Sequence, residues 1–493
     1  MASNEPVVGA LTTEQLAAIG GASRRLYIEA APGSGKTTVS AHRYGIQRFG
    51  RAADPRAVVA VSFTRSATAE LRDRVLNRWG DSALSWPHRI VTLDTVMCDL
   101  LTHLLHEEAV HWPGGHHELL VHDSWRARLP PSNSRRRPVI RLQGNQVCTT
   151  TVWAKPYEHA VNRADFEAAV EAGECTHDDV RTVLVDGIND ERIRGALIRH
   201  LASTTRALLV DEVFDANLLD LKVVQLAIRA GLQVTLVGDP WQALYGFRGA
   251  RPDAVPGFIA AEGFKQRDLH HSFRWITREQ DLLSTRLRFG AATFVPAGEV
   301  KTVQVVLARE WKSLWATSPR VLPLAFRSAT GRPAEAAATL LLNEMTTHAF
   351  NQKAVYLGDA YTTLGITNPG AGARLQPRLE AILRRLSGND DLDGIRRELN
   401  TAIATESDVR MPRRHSSHID RLAALRARVE QPSRQHVPGL TCHQAKGREW
   451  DHVGVRLEAT DVQGLRQGLT HTNEDHRMLY VALTRARRQT VAV

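Results

Sequence analysis

Cysteine is scarce and scattered in this chain. The four, Cys98, Cys148, Cys175 and Cys442, stand far apart, so there is no C-x-x-C pair with zinc spacing and no disulfide framework of a small secreted domain. A reducing, cytoplasmic setting is the expectation. Long apolar runs are missing as well. None approaches the ~20 residues that span a bilayer, and the N-terminus MASNEPVVGA has neither the basic start nor the apolar core of a signal peptide. No membrane partner is expected. Nor does a G-x-G-x-x-G turn open a helix with an acidic residue about twenty positions on, which leaves dinucleotide redox chemistry without support. No repeat at a fixed period and no long low-complexity tract is visible.

What remains is an ordinary soluble composition at considerable length. At about 100–200 residues per domain, 493 residues point to two to four domains. Hydrophobic residues at 43% and charged residues at 24% allow large buried cores. Sixty-three Lys and Arg against 53 Asp and Glu leave a net charge of +10, which favours partners that carry phosphates or another acidic surface.

Short runs of Val, Ile and Leu, each closed by a polar turn or a helical pattern, predict buried parallel strands of an α/β fold. One set is Leu26–Glu29, Ala57–Phe63, Arg89–Leu93, Ala207–Asp211 and Val234–Gly238. A second is Thr302–Ala308, Val321–Phe326, His452–Leu457 and Gln489–Val493. Two sheets imply two cores. Two stretches of other character, about 105–200 and 331–437, read as insertions. The first contains LPPSNSRRRPVIRLQG, read as a loop with a solvated run Arg135–Arg137. The second carries amphipathic helices at Leu375–Leu386, Leu392–Ala404 and Ile419–Val429.

The sharpest local signal is Ala30-Ala31-Pro32-Gly33-Ser34-Gly35-Lys36-Thr37, after a strand and before a helix. Its glycines let backbone N–H groups turn inward around phosphate oxygens, Lys36 reaches the outer phosphates, and Thr37 offers a hydroxyl to Mg²⁺. Only the first position departs from G-x-x-x-x-G-K-[ST], with Ala30 in place of Gly. Nucleotide hydrolysis then needs carboxylates at the end of a neighbouring strand. Asp211 would hold Mg²⁺ and Glu212 would orient or deprotonate the attacking water. Stacking of unpaired bases asks for flat side chains, for which Phe63, Trp241, Tyr245, Phe247 and Trp275 are candidates.

Together with these residues, separated motifs recur in order from Leu11 to Arg487, and the set resembles the superfamily 1 DNA helicases of the UvrD/Rep/PcrA type. Leu11–Gln15 looks like the Q motif, Ser62–Ala67 like motif Ia, Asp211–Asn217 like motif II and Gly238–Ala250 like motif III. His271–Arg274, Thr441–Glu449 and Leu479–Ala486 are similar to motifs IV, V and VI. The resemblance implies two RecA-like P-loop NTPase domains with parallel sheets, each carrying a mostly helical insertion. Residues 1–104 and 201–272 would form domain 1A, 105–200 insertion 1B, 273–330 and 438–493 domain 2A, and 331–437 a reduced insertion 2B. It implies ATP held by Gln15, Ala31, Pro32, Gly33, Ser34, Gly35, Lys36, Thr37, Thr38 and Glu449, with Mg²⁺ on Thr37 and Asp211. Glu212, Gln242, Arg274 and Arg485 would be catalytic, the arginines reaching across a cleft between the two domains. DNA contacts are expected from Phe63, Thr64, Arg65, Thr92, Tyr245, Phe247, Arg248, Thr441 and His443.

The expected activity is ATP-driven 3′–5′ movement on single-stranded DNA with unwinding of partly duplex DNA, in repair or another setting. Two departures bear on it. Phe214 stands where the family usually has Gln, which weakens the hydrogen-bonded link between motifs II and III, and Asp94 puts a carboxylate beside an expected DNA contact. Members with full accessory domains are usually longer, and in size the chain is similar to the helicase subunit of the Gabija anti-phage system, which acts beside a nuclease. The alternative expectation is therefore an ATP- and DNA-sensing regulatory subunit of a nuclease in antiviral defence. A nucleotide kinase is the bland alternative, disfavoured by the motif order.

Overall fold

Runs of Val, Leu and Ile bounded by polar turns fold as parallel strands in the computed structural model. It describes residues 11–493 except 51–52, 133, 155–159, 367, 369, 408, 410, 412–415 and 433–434. The chain divides into two units, Met1–Phe273 and Arg274–Val493. In the first, six parallel strands run in the order Lys265–Leu269, Arg25–Ala30, Gln233–Gly238, Thr205–Val210, Ala57–Ser62 and Arg89–Thr92. Ala57–Ser62 and Thr205–Val210 are buried at every position, as strands covered on both faces must be. Because Arg25–Ala30, Gln233–Gly238 and Thr205–Val210 are neighbours, the loops after them emerge side by side at one edge of the sheet.

Lys265–Leu269 is not legible as a strand in the sequence. Its residues KQRDL form no apolar run, because an edge strand can leave its side chains in water. The helix Lys36–Phe49 is fixed under the sheet by a buried arginine. Arg43 Nε donates to Thr235 Oγ1 at 2.7 Å, and its Nη1 donates to the carbonyls of Ile19 and Gly21, each at 3.0 Å. Burial without a carboxylate pulls the Arg43 guanidinium down to about 10.

The first insertion departs from the expectation of a mostly helical element. Helices Arg163–Glu171, His177–Gly187 and Glu191–Thr204 are present, but the stretch expected as a loop is half of an antiparallel hairpin, Arg136–Gln143 with Gln146–Trp153. The alternation of Ile140 and Leu142 on one face, with Leu142 opposite Val147, and the Gly144-Asn145 turn, where Gly144 has φ +61°, make the hairpin. Its arginine run and Pro138 mask that alternation in the sequence.

The second unit holds five parallel strands in the order Val321–Pro323, Val437–Thr441, Val305–Ala308, Trp450–Val455 and Ala486–Ala492. Val437–Thr441 is a strand that the sequence disguises, since Pro438 and Gly439 argue against one. The reason for Gly439 is close approach, as a Cβ there would lie 2.9 Å from Val321 Cγ1. Helices Pro333–Phe350, Ala371–Leu386, Leu392–Ile403 and Ser416–Val429 pack around Leu341, Leu375, Ile382, Leu399 and Leu425. Arg428 ties this helical layer to the sheet by donating to Val321 O at 3.0 Å and Trp315 O at 2.7 Å. Among the described residues no helix is long and apolar enough to cross a membrane.

Candidate active site

The phosphate loop follows the strand Arg25–Ala30. Ala31 N donates to Leu269 O at 3.0 Å and Ser34 N to Ala31 O at 3.1 Å, which closes the turn. Gly33 and Gly35 take φ of +76° and +81°, and Gly35 caps the helix that begins at Lys36. A Cβ on Gly35 would meet Gln15 Nε2 at 2.6 Å, so only glycine fits there. Ser272 Oγ donates to Pro32 O at 2.8 Å and Phe273 N to Gly33 O at 2.9 Å, holding the outer side of the loop.

Gln15, the last residue of the Q-like motif, is tied to the loop and to its own helix. Its Nε2 donates to Ser34 O at 2.9 Å, and its Oε1 accepts from Thr12 N at 3.0 Å in a capping box. The amide therefore props the cradle. Lys36 Nζ is paired with Glu212 Oε1. Asp211 and Glu212 stand directly after Thr205–Val210, where Asp211 N donates to Val61 O at 2.9 Å. Glu212 adopts left-handed backbone angles, φ +61° and ψ +42°, a conformation that costs a non-glycine residue about 1–2 kcal/mol. That strain sits at the residue expected to handle the attacking water. Burial raises the Asp211 carboxyl to about 7, opposed by the Lys36 cation and reinforced by Glu212 and Glu70.

The cradle fits a magnesium-bound triphosphate on its own chemistry. Ser34 Oγ is buried with no hydrogen-bond partner among the described residues, and the neighbouring hydroxyl and carboxylate, Thr37 and Asp211, are the hard oxygen donors Mg²⁺ prefers. Two residues beyond the sequence reading belong to this neighbourhood. Arg74 Nη1 donates to Thr38 Oγ1 at 3.2 Å and also pairs with Glu70, so the helix Arg65–Trp79 lines the site. Their spacing of four on one helix face was the available signal.

Gln242 follows Gln233–Gly238 in a short turn. Its Nε2 donates to Asp239 Oδ2 at 2.7 Å, which holds the amide buried beside the acidic pair's strand. Trp241 in the same turn is buried and is a core residue, which corrects its candidacy as a stacking platform. Tyr245, Phe247 and Arg248 do form a surface group. Arg248 lies over both rings at 5.0 and 5.5 Å, and Phe247 is 66% exposed.

A cavity of about 450 Å³ brings together Phe63, Thr64, Arg65, Thr92 and Arg248, five of the expected DNA contacts. Thr64 and Thr92 each cap a helix, accepting from Ala67 N at 3.2 Å and Thr95 N at 3.4 Å, so two helix N-termini face this space. Asp94 and Asp123 line it too. Asp94 is engaged by Arg181 at 2.7 Å, which also reaches buried Asp220 at 2.9 Å, and Asp123 is engaged by Arg65.

In the second unit Arg274 and Glu449 form an ion pair at 2.8 Å, and Arg274 Nη1 donates to Thr484 O at 2.9 Å, next to Arg485. Arg485 is 1% exposed, with its Nε donating to Val481 O at 3.0 Å. Thr441 is buried at the end of its strand, and His443 lies half-buried in the turn of helix that follows.

Residues 11–133 and 145–260 match the UvrD/REP helicase N-terminal domain, and residues 436–493 the UvrD-like helicase C-terminal domain. YjcD of Bacillus subtilis (strain 168), whose name assigns it to the ATP-dependent DNA helicases, is 25% identical over 279 residues, 51% of this chain and 35% of the relative. DNA helicase II of Escherichia coli (strain K12) is 23% identical over 279 residues, 51% of this chain and 36% of the relative. The matched region thus spans about a third of the length of each curated relative. With both units matched in chain order over more than half of its residues, and with the phosphate cradle and acidic pair set on neighbouring strands, the chain belongs to the UvrD/REP helicase family.

Proposed function

We propose that this chain is an ATP-driven motor on single-stranded DNA that moves 3′ to 5′ and separates partly duplex DNA. The observation that carries the reading is in the first unit. A triphosphate cradle with its acidic pair shares a sheet with a cavity lined by Phe63, Arg65 and Arg248 and faced by two helix N-termini. Lys36 binds the outer phosphates, Glu212 orients and accepts a proton from the attacking water, and Gln242 senses the terminal phosphate from the turn that leads to Tyr245, Phe247 and Arg248. Mg²⁺, held by Thr37 and Asp211, neutralises charge on the phosphate oxygens when bound. Arg274 and Arg485 are the guanidinium groups that the family resemblance assigns to the charge that builds in phosphoryl transfer, an effect that reaches about 10³–10⁵ in rate. A ligand that binds one arrangement of the two units more tightly than another shifts their populations, which is what a translocase requires.

A second reading follows from Phe214, which is buried against Tyr27 where the family usually has a hydrogen-bonding Gln. In it, ATP and DNA occupancy control a partner nuclease, with little unwinding by this chain. Two measurements test both. ATP turnover with and without single-stranded DNA comes first, and DNA that leaves turnover unchanged refutes a motor. Strand displacement with 3′-tailed and 5′-tailed duplexes comes second. Unwinding of the 3′-tailed substrate alone supports the motor, whereas stimulated turnover with no displacement favours the regulatory subunit.

A further inference from the structure

The run Arg135–Arg137 lies in the stretch that the family match passes over, which ends at 133 and resumes at 145. From Ser124 to Tyr157 the chain carries seven basic side chains and no acidic one. Folding of the hairpin sets Arg136 directly across from Trp153, with the guanidinium carbon 5.1 Å from the ring centroid. Trp153 is 67% exposed. Arg135 and Arg136 have no carboxylate partner among the described residues, and Ala154 N donates to Arg135 O at 2.9 Å, extending the ladder under them. The opposite end of the hairpin is tied down. His111 N donates to Asn145 O at 2.8 Å, Val147 N to His111 O at 2.9 Å, and Leu142 N to the Asp186 carboxylate at 3.2 Å. One end is therefore anchored in the fold while the other presents a flat aromatic surface among uncompensated cations.

We propose that this open end is a further contact for single-stranded DNA, seating an unpaired base on the Trp153–Arg136 pair and flanking phosphates on Arg135 and Arg136. This rests on the DNA-motor reading and adds a site outside its motifs. The chemistry selects an unpaired strand over other polyanions. A guanidinium held over the ring still has N–H donors for a phosphate edge, while the indole offers its exposed surface to a base. Duplex DNA keeps its bases stacked inside, so the ring would have nothing to hold. An acidic protein surface would engage the arginines and leave the ring idle as well.

The test uses the whole chain and a labelled oligothymidylate, with dissociation constants measured across a salt series. Trp153→Ala is expected to weaken binding about fivefold or more, and Trp153→Phe to regain most of that affinity, since one base stack is worth about 1–3 kcal/mol. R135A/R136A is expected to lower the slope of log K against log salt by about 1.4, near 0.7 for each phosphate that the arginines no longer neutralise. ATP turnover without DNA stays unchanged in all three, and an iododeoxyuridine strand cross-links to the peptide containing Trp153. Unchanged affinity and slope in variants of a wild type that binds the oligonucleotide overturn this site alone. A weakening confined to duplex or to acidic protein overturns it too. A wild type that fails to bind single strands at all overturns the motor reading and the site with it.

Discussion

Replacing Glu212 by Gln separates two roles that the structure superimposes on one carboxylate. Glu212 is paired with Lys36, both side chains being largely buried at 20% and 13% exposure. A triphosphate that reaches Lys36 must take it from that partner. A hydrogen bond between charged groups contributes about 1.5–3 kcal/mol, so removing the carboxylate is expected to tighten nucleotide binding by roughly tenfold to a hundredfold. The same change removes the base that handles water, for which about 10²–10⁴ in turnover is typical. Affinity and rate therefore move in opposite directions. Fluorescent-nucleotide titration gives the first and steady-state phosphate release the second, with thermal melting to show that the fold is intact. Glu212→Gly serves as the backbone control, since φ +61° suits glycine, and it is expected to match the turnover loss while being more stable than Glu212→Gln by about 1 kcal/mol. A Glu212→Gln protein with its melting temperature unchanged and nucleotide affinity at least tenfold weaker would refute this reasoning. The carboxylate would then be holding the ligand and not competing for Lys36.

Arg43→Ala strips donors from the Ile19 and Gly21 carbonyls and from Thr235 Oγ1, and is expected to cost about 3 kcal/mol, read from urea unfolding of the chain. Gly35→Ala forces a Cβ to within 2.6 Å of Gln15 Nε2 at a backbone φ of +81°. It should abolish nucleotide binding in calorimetry while lowering the melting temperature only modestly. His88 predicts a pH dependence. Its Nδ1 accepts from Val58 N at 3.0 Å, and burial, aided by Arg48 and Arg206, lowers it to about 4 from the ordinary 6.5. The unfolded chain takes up a proton that the folded one refuses, so this contribution is complete above pH 6.5 and lost as pH falls towards 4. It amounts to at most about 3 kcal/mol. Urea unfolding between pH 7 and pH 4.5 should therefore show a shallower loss in His88→Gln than in the wild type.

Local chemistry made the phosphate loop legible, because the cradle is built from consecutive residues and its glycines are needed for backbone angles that the sequence itself declares. Ala57–Ser62 and Val234–Gly238 were legible for a related reason, since a strand covered on both faces can be recognised from its own composition. The hairpin was hidden, because Pro138 and three arginines interrupt one strand and the partner strand buries only Val147. Lys265–Leu269 gave no sign, as an edge strand owes its place to pairing with Arg25–Ala30 and not to burial. Trp241 and Gln15 mark a different limit. Nothing in their identities declares where they sit, which is set by residues far away in sequence, and only the fold shows Trp241 in the core and the Gln15 amide against Ser34. The basic character of the Arg135–Arg137 run was visible, whereas its pairing with Trp153 depends on the register of two strands.

The two departures from the family pattern look different once their surroundings are known. Phe214 packs edge-on to Tyr27 and would lie 2.9 Å from a Cβ on Gly238, so packing joins the acidic pair's strand to the turn that carries Gln242 where a hydrogen bond was expected. Such a link transmits displacement through close contact and keeps no directional bond to break. Asp94 shares Arg181 with buried Asp220, which attenuates its field at the cavity but leaves the trio one negative charge in excess. Whether a phosphate can settle there turns on the other carboxylate. Arg65 and Asp123 are 78% and 67% exposed, and such a surface pair is worth about 0–1 kcal/mol. A bond from the same exposed Arg65 to a phosphate is screened alike, so the difference comes from the helix N-terminus capped by Thr92, worth about 0.3–1 kcal/mol to an anion. The balance favours the phosphate. On the proposed reading Asp123 would be a weak placeholder on Arg65, and the carboxylates in the cavity would lower affinity for a polyanion without preventing its entry.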